Sequence, residues 1–204
     1  MSIKGIPATR TTTPPATRRP LLLLGLWLGA ASALVASGAF AQLPTRTPQA
    51  VLGLLVVVQV ALYFSTRGFR AWADALSLRA LVALHLSRFV GFYFLVLHGR
   101  GELPYDFAVL GGWGDIAVAT TAIALLYAYR RGLRPRAIPL VAWNVLALAD
   151  ILFVVSRAAK NLGADPTSMQ PLTVLPLGLL PLFLVPLIIS THLLMLRRAV
   201  QPTA

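Results

Sequence analysis

The chain has 204 residues, of which 57% are hydrophobic and 12% charged, and this balance excludes an ordinary soluble domain, in which about 25% of residues are charged. Its net charge of +12 would suit a nucleic-acid-binding protein. The basic residues lie at the ends of apolar segments and in the N-terminal tail, however, so no nucleic-acid partner is predicted. Cysteine is absent, which excludes disulfides, thiol nucleophiles and thiolate-bound metal clusters.

Six apolar segments approach the ~20 residues that an α-helix needs to cross a bilayer. They predict an all-α, polytopic membrane protein in which residues 21–198 form one bundle of six transmembrane helices. The predicted spans are residues 21–41, 50–66, 79–97, 107–129, 137–156 and 173–196. Residues 1–20, rich in Thr and Pro, are predicted to be a disordered basic tail, and residues 199–204 a short second tail.

The first apolar segment has two interpretations. Its end, Ala39-Phe40-Ala41, fits a small-x-small signal-peptidase site, and the pair Arg18-Arg19 ahead of it resembles a twin-arginine signal. The segment is longer than the about 7–15 residues of a typical signal core, which favours an uncleaved first span. Cleavage after Ala41 would leave five spans with the same orientation.

Lysines and arginines in the short loops predict the orientation, because loops on the cytoplasmic side carry more of them. A cytoplasmic N terminus places thirteen of these residues inside and four outside, so both termini are predicted to be cytoplasmic. The four outer residues are Arg46, Arg100, Arg157 and Lys160. Besides the bilayer itself, the expected partners are anionic lipids at the basic inner loops, and the predicted location is a bacterial inner membrane.

Prolines recur every five residues through the last loop and the sixth span. Each proline inside the span leaves the carbonyl four residues earlier without its helical donor. The carbonyls concerned are those of Leu172, Leu177 and Leu182. Such carbonyls can bind a cation, although a neighbouring helix, a hydroxyl group or a water molecule more often satisfies them.

An arginine inside an apolar span is costly in free energy, so it is retained where another group compensates for it. Arg88 is such a residue, and it lies roughly 13 Å above Arg79 along the third span. Counting about 1.5 Å per residue from the inner arginines of each span places five polar residues in one layer, with two acids above it. The layer contains Gln59, His85, Arg88, Asn144 and His192, and the acids are Asp115 and Asp150.

Asp150 is the predicted partner of Arg88. Helical side chains lean toward the N terminus of their helix, and the third and fifth spans enter from the same side, so the Asp150 carboxylate leans toward the level of Arg88. The alternative is that Arg88 extends its side chain to the cytoplasmic headgroups.

Asp115 is expected to cap a helix. The glycine-rich segment at residues 111–114 can break the chain, so that the fourth helix begins near Trp113 and Asp115 lies in its first turn. Residues 102–112 would then form an outer loop or a shallow re-entrant segment. Burial of Asp115 as a further partner within the polar layer is the alternative.

His85 and His192 have nearly equal predicted depth on the third and sixth spans. Two neutral imidazoles that face each other can ligate a haem iron or a metal ion. The alternative is two separate histidines, each hydrogen-bonded within the bundle. No other ligand type accompanies them in the sequence, so the separate histidines are favoured and no cofactor is predicted.

Three functions remain as hypotheses. The favoured one is passage of a proton or small solute, with Arg88 and Asp150 as the gating pair and His85 as proton acceptor or donor. The second is a structural or accessory subunit of a membrane complex, in which the polar layer fixes helix register. The third is a redox protein that holds haem or a metal between His85 and His192. The sequence contains no glycine-rich phosphate loop, HExxH or GxSxG motif, so no enzyme class is predicted.

Overall fold

The computed structural model describes residues 18–131 and 137–200, and within these ranges every regular element is a helix. Six of the described helical segments are long and apolar enough to cross a membrane, which agrees with the predicted number of spans. The predicted tails at 1–20 and 199–204 lie outside the described residues, except that residues 18–20 begin the first helix and residues 199–200 end the last one.

In the described ranges, eight α-helices and four short helical turns follow one another. The α-helices are α1 Arg18–Ala36, α2 Thr47–Ser65, α3 Arg67–Ala75, α4 Leu78–Leu84, α5 Val90–Gly99, α6 Tyr105–Arg130, α7 Ala137–Ala164 and α8 Val185–Val200. Three turns are 3-10 helical, at Ala39–Gln42, His85–Phe89 and Gln170–Thr173, and a π-helical turn at Leu180–Leu184 leads into α8. The turn at His85–Phe89 joins α4 to α5 without a break, and together they form the helical segment Leu78–Gly99, which corresponds to the third predicted span.

Three helix ends lie at residues other than the predicted span boundaries. The first helix ends at Ala36 and not at residue 41, because Gly38 takes a left-handed conformation with φ of 76°. The helix of the fifth predicted span, α7, continues past residue 156 to Ala164. Asn161 near its end donates to Asp106 of α6 and so holds this last part in place. The last span begins at Leu180 rather than at residue 173.

The expectation that the helix of the fourth predicted span begins near Trp113 is wrong. The helix α6 begins at Tyr105, directly after the extended residue Pro104, and passes through the glycine-rich segment without interruption. The outer loop or re-entrant segment expected at residues 102–112 is therefore also wrong, because most of those residues are helical. These glycines serve helix packing instead, because they let neighbouring atoms approach the backbone of α6.

The helices α5 and α6 lie close together, and a short turn at residues 100–104 joins them. A Cβ atom built on Gly91 would overlap the carbonyl oxygen of Gly112, and one built on Gly112 would lie 2.9 Å from the carbonyl oxygen of Gly91. Both glycines are buried and lie at similar sequence distances from the turn. The glycine pair therefore fixes the register of the two helices.

A proline in α8 leaves a carbonyl oxygen free to bind a side chain of α1. Pro186 has no N–H, so the carbonyl of Leu182 lacks its usual donor. The indole Nε1 of Trp27 donates to this carbonyl oxygen at 2.9 Å, and the Trp27 ring contacts Phe183 with 4.8 Å between ring centroids. The acceptor at Leu182 is thus satisfied by a neighbouring helix and is not left for a cation.

Two apolar clusters lie at opposite ends of the bundle. We call the end that carries Arg79, Arg130 and Arg197 the arginine end, and the end that carries the α5–α6 turn the turn end. Near the arginine end, Leu81, Val82, Ala122 and Met195 are buried together. Near the turn end the buried cluster contains Phe94, Leu97, Leu103, Phe107 and Met169. The buried polar residues of the bundle lie between these clusters.

The Gly91→Ala substitution is expected to lower the free energy of unfolding by about 1–3 kcal/mol. The added methyl group would overlap a backbone carbonyl oxygen, which cannot rotate away. Gly99→Ala is the matched control, because nothing lies within 4 Å of a Cβ added there. Unfolding by SDS in mixed micelles, followed by circular dichroism, measures both variants. Equal stability of the two would contradict the close packing of α5 on α6.

Candidate functional site

Arg88 lies in the 3-10 turn between α4 and α5, and its side chain is 1% exposed. Its Nε donates to Oδ1 of Asp115 at 2.6 Å. Its Nη1 donates to the carbonyl oxygen of Ala147 at 2.8 Å, and its Nη2 donates to Oδ2 of Asp150. The alternative in which Arg88 extends to the headgroups is therefore wrong, because the guanidinium is held inside the bundle.

Two carboxylates from different helices share this one guanidinium. Asp115 belongs to α6 and Asp150 to α7, and we call Arg88, Asp115 and Asp150 the ion cluster. The helix-capping role expected for Asp115 is wrong, because Asp115 lies in the middle of α6 and is 2% exposed. Counting residues from Arg130 predicts that Asp115 lies above the level of Arg88. In the structure the two residues are in direct contact.

The charges of the ion cluster do not cancel. With every group ionised, one guanidinium and two carboxylates carry a net charge of −1. Leaving a charge uncompensated in an apolar interior is costly in free energy, because water no longer solvates it. A neutral cluster requires one bound proton or one further cation. Because both carboxylates contact the same guanidinium, their protonation is coupled, and one proton on either of them makes the cluster neutral.

Gly114 makes room for the Asp150 carboxylate. A Cβ atom built on Gly114 would overlap that carboxylate, so α6 can approach this part of α7 only with a glycine at this position. The Asp150 side chain is 21% exposed, whereas that of Asp115 is 3% exposed. Asp150 is therefore the more accessible of the two acids.

A pair of buried histidines lies one helical turn from Arg88, toward the arginine end. His85 and His192 are both 0% exposed, and their ring centroids are 4.3 Å apart with an angle of 37° between the planes. The indole ring of Trp143 packs edge-on against His85 with 5.4 Å between centroids. The structure thus brings together two residues that the sequence placed at the same depth.

Asn144 determines the tautomer of His192. The amide Nδ2 of Asn144 donates to the backbone carbonyl of His192 at 3.0 Å, which directs its Oδ1 at the imidazole. The imidazole Nδ1 lies 2.5 Å from that oxygen and must therefore carry the proton. The Nε2 of His192 is left as a lone pair with no partner among the described residues, and both ring nitrogens of His85 are also unpartnered there.

The geometry of the histidine pair does not fit the two axial ligands of a haem. Two imidazoles on opposite sides of one ion, with bonds of about 2 Å, hold their ring centroids roughly 6 Å apart. The observed 4.3 Å is direct ring contact. In the described part of the chain, no three His, Cys, Asp or Glu side chains are grouped so as to hold a metal ion.

Gln59 does not join the other polar residues. Its Nε2 donates to the carbonyl oxygen of Leu55 in its own helix at 3.1 Å. It lines a lateral groove between α1, α2, α4 and α8 and does not contact the ion cluster. Of the predicted polar residues, the structure therefore assembles the ion cluster and the group of His85, His192 and Asn144, and it leaves Gln59 apart.

A cavity of about 90 Å³ reaches the ion cluster from the turn end. Arg88 and Asp115 form its polar floor. Its other sides are mainly apolar, and residues that line it include Leu52, Phe94, Phe107, Ile151 and Val185. No signal in the sequence indicates this cavity, because its lining residues come from helices far apart in the chain.

One protein-family model matches the part of the chain that contains this site. Residues 45–200 match the model of a family described as Domain of unknown function (DUF8737). The chain belongs to this family. The match includes the ion cluster and the histidine pair, and α1 lies outside it. No curated protein and no solved structure matches the chain.

Arg88→Met is expected to lower the free energy of unfolding by about 3–5 kcal/mol, because it leaves two buried carboxylates without their cation. The triple variant Arg88→Met/Asp115→Leu/Asp150→Leu is expected to recover most of this loss, because it removes the unpaired charges as well. Arg100→Met, at an exposed arginine, is the control and should keep native stability. SDS unfolding in mixed micelles measures all three. A single Arg88→Met variant as stable as the control would contradict the assigned cluster.

Proposed function

We propose that the chain is a multi-pass membrane protein that passes protons across the bilayer by loading and releasing one proton at the ion cluster. The observation that carries this proposal is the sharing of one buried guanidinium by two carboxylates. Ionisable groups inside membrane spans are costly, and those that are retained commonly belong to ion pathways or proton relays. A site with one carboxylate in excess has a reason to bind a proton, whereas a matched ion pair has none.

The surroundings of the ion cluster supply space for water on one side and imidazole groups on the other. On the turn-end side, the cavity volume of about 90 Å³ exceeds the ~10–15 Å³ needed for one water molecule, and its floor supplies polar partners. On the arginine-end side, His85 lies one turn from Arg88 and packs on His192. Imidazoles accept and release protons readily, so in this proposal His85 exchanges the proton with the cluster.

Arg88 and Asp150 form the gate in this proposal. The ion pair holds the third span against α7, and protonation of Asp150 weakens its attraction to the guanidinium. In this proposal the proton enters at Asp115, which lines the cavity, and moves on to Asp150, which does not line it. Asp115, which is more deeply buried, keeps Arg88 in place through its bond to Nε.

The proposed orientation follows from the arginines of the arginine end, which would face the cytoplasm of a bacterial cell with both chain termini. Two residues of α8 hold α3 against this end: Arg198 donates to the carbonyl oxygens of Ala73 and Leu76, and Arg197 lies 3.5 Å from the Asp74 carboxylate. Arg67 of α3 is exposed. Anionic lipid headgroups are the proposed partners of this basic surface.

A second candidate function is that of an accessory subunit in a membrane complex. The Asp150 carboxylate is 21% exposed, although the lining of the cavity does not include it. It therefore reaches the outer surface of the bundle, where a helix of a partner subunit could cover it. Co-purification of one stoichiometric partner in mild detergent from native membranes, lost in Asp150→Leu, would favour this function.

Proton passage is tested in proteoliposomes with a pH-sensitive dye inside and a potassium diffusion potential as driving force. The double variant Asp115→Asn/Asp150→Asn is expected to reduce proton flux about 100-fold, because neither amide can hold the exchanged proton. Asp165→Asn, at an exposed carboxylate near the turn end, is the control and should keep the native flux. Native flux in the double variant, or in Arg88→Ala/Asp150→Ala, would refute the assigned roles.

A further inference from the structure

The cavity above the ion cluster combines an apolar enclosure with a charged floor. Its apolar residues come from α2, α5, α6, α7 and α8, and the charged groups that line it are Arg88 and Asp115. A cavity with only apolar lining stays dry and binds apolar molecules. A charged group at one end adds a requirement for a ligand with one complementary polar group.

The net charge of the ion cluster decides the sign of that polar group. The cluster has two carboxylates and one guanidinium, and three of the five N–H groups of Arg88 donate, one each to Asp115, Ala147 and Asp150. Asp115 uses Oδ1 for this contact, and its Oδ2 has no hydrogen-bond partner among the described residues. The floor therefore offers a ligand a free carboxylate oxygen within a cluster that has one carboxylate in excess.

We propose that this cavity binds a small primary alkylammonium ion, with the ammonium group on Oδ2 of Asp115 and the alkyl chain between the apolar side chains. The inference rests on the proposed function, because the ion takes the place of the exchanged proton. A protonated Asp115 releases its proton to water as the intact alkylammonium ion binds its carboxylate. One positive charge enters the cluster and one leaves it.

The size of the cavity limits the ligand. An engineered cavity of ~150 Å³ holds the six heavy atoms of benzene, so by the same ratio a cavity of about 90 Å³ holds about four heavy atoms. Butylammonium has four carbon atoms for this apolar space, and its ammonium group contacts the carboxylate at the floor. A bare divalent metal ion does not fit the same site, because it requires about six oxygen ligands and the floor provides one free carboxylate oxygen.

The charged and titratable groups around the bound ammonium would be Asp115, Asp150, Arg88 and, one turn away, His85. The two carboxylates outweigh the one guanidinium, so the site attracts a cation and repels a carboxylate ligand. A neutral alcohol of the same length gains the apolar contacts without the ionic one. Comparison of the three head groups therefore separates charge recognition from simple filling of an apolar space.

Binding is measured by isothermal titration calorimetry of the purified full chain in detergent with butylammonium chloride, and proton release by an indicator dye in weak buffer. Saturable binding is expected, with up to one proton released per ion bound at the acid end of a series from about pH 5 to 8. Butanol and butyrate are expected to bind at least about tenfold more weakly. A series from methylammonium to octylammonium should bind most tightly near four carbon atoms.

Two variants locate the site. Asp115→Asn keeps the size of the side chain and is expected to weaken butylammonium binding at least about tenfold. Asp165→Asn, at the exposed carboxylate used above, should bind as the native chain does. Circular dichroism in the same detergent shows whether each variant is folded, and a native chain that fails to bind refutes the inference without any variant.

Three results would overturn the inference: no saturable heat with butylammonium, equal affinity for butanol, or undiminished binding by Asp115→Asn. Binding with no proton release anywhere in the pH series would overturn the exchange. These outcomes are separate from the test of proton passage. A chain that conducts protons in proteoliposomes but does not bind the amine would retain the proposed function and lose only this ligand.

Discussion

The structure depends on a single guanidinium that two carboxylates share inside an apolar bundle. Arg88 connects the third span to α6 through Asp115 and to α7 through Asp150. Helix packing makes these contacts possible, because Gly91 and Gly112 let α5 lie against α6, and Gly114 leaves space for the Asp150 carboxylate. The glycines thus allow the helices to lie close enough for the charged side chains to contact one another.

The sequence predicts most of the fold because hydrophobic length is a strong signal. It also identifies Arg88 as the residue that requires compensation. It fails at Asp115 for a physical reason: a glycine that interrupts a helix and a glycine that packs closely against another helix are the same residue in a sequence. The structure distinguishes them, since α6 continues through its glycines and buries two of them against neighbouring helices.

Helix register explains why the predicted depths of Arg88 and Asp115 differ although the two residues are in contact. Depths counted from the arginine end assume that Arg79 and Arg130 lie at one level, and α6 extends further at that end than α4 does. Counted from the short turn at residues 100–104, Arg88 and Asp115 lie at similar distances along their helices. A tight turn fixes two helices more accurately than loop arginines do. The rotation of each helix, which creates the cavity and the contact between His85 and His192, leaves no comparable trace in composition or spacing.

The contact between Trp27 and Leu182 has a consequence for how the first helix attaches to the rest of the chain. The acceptor that Trp27 uses is free because the residue at position 186 carries no amide hydrogen. Any other amino acid at that position would bring its own N–H and compete for the same oxygen. The attachment of α1 therefore depends on α8, because Pro186 lacks the N–H group that would otherwise compete for the Leu182 carbonyl.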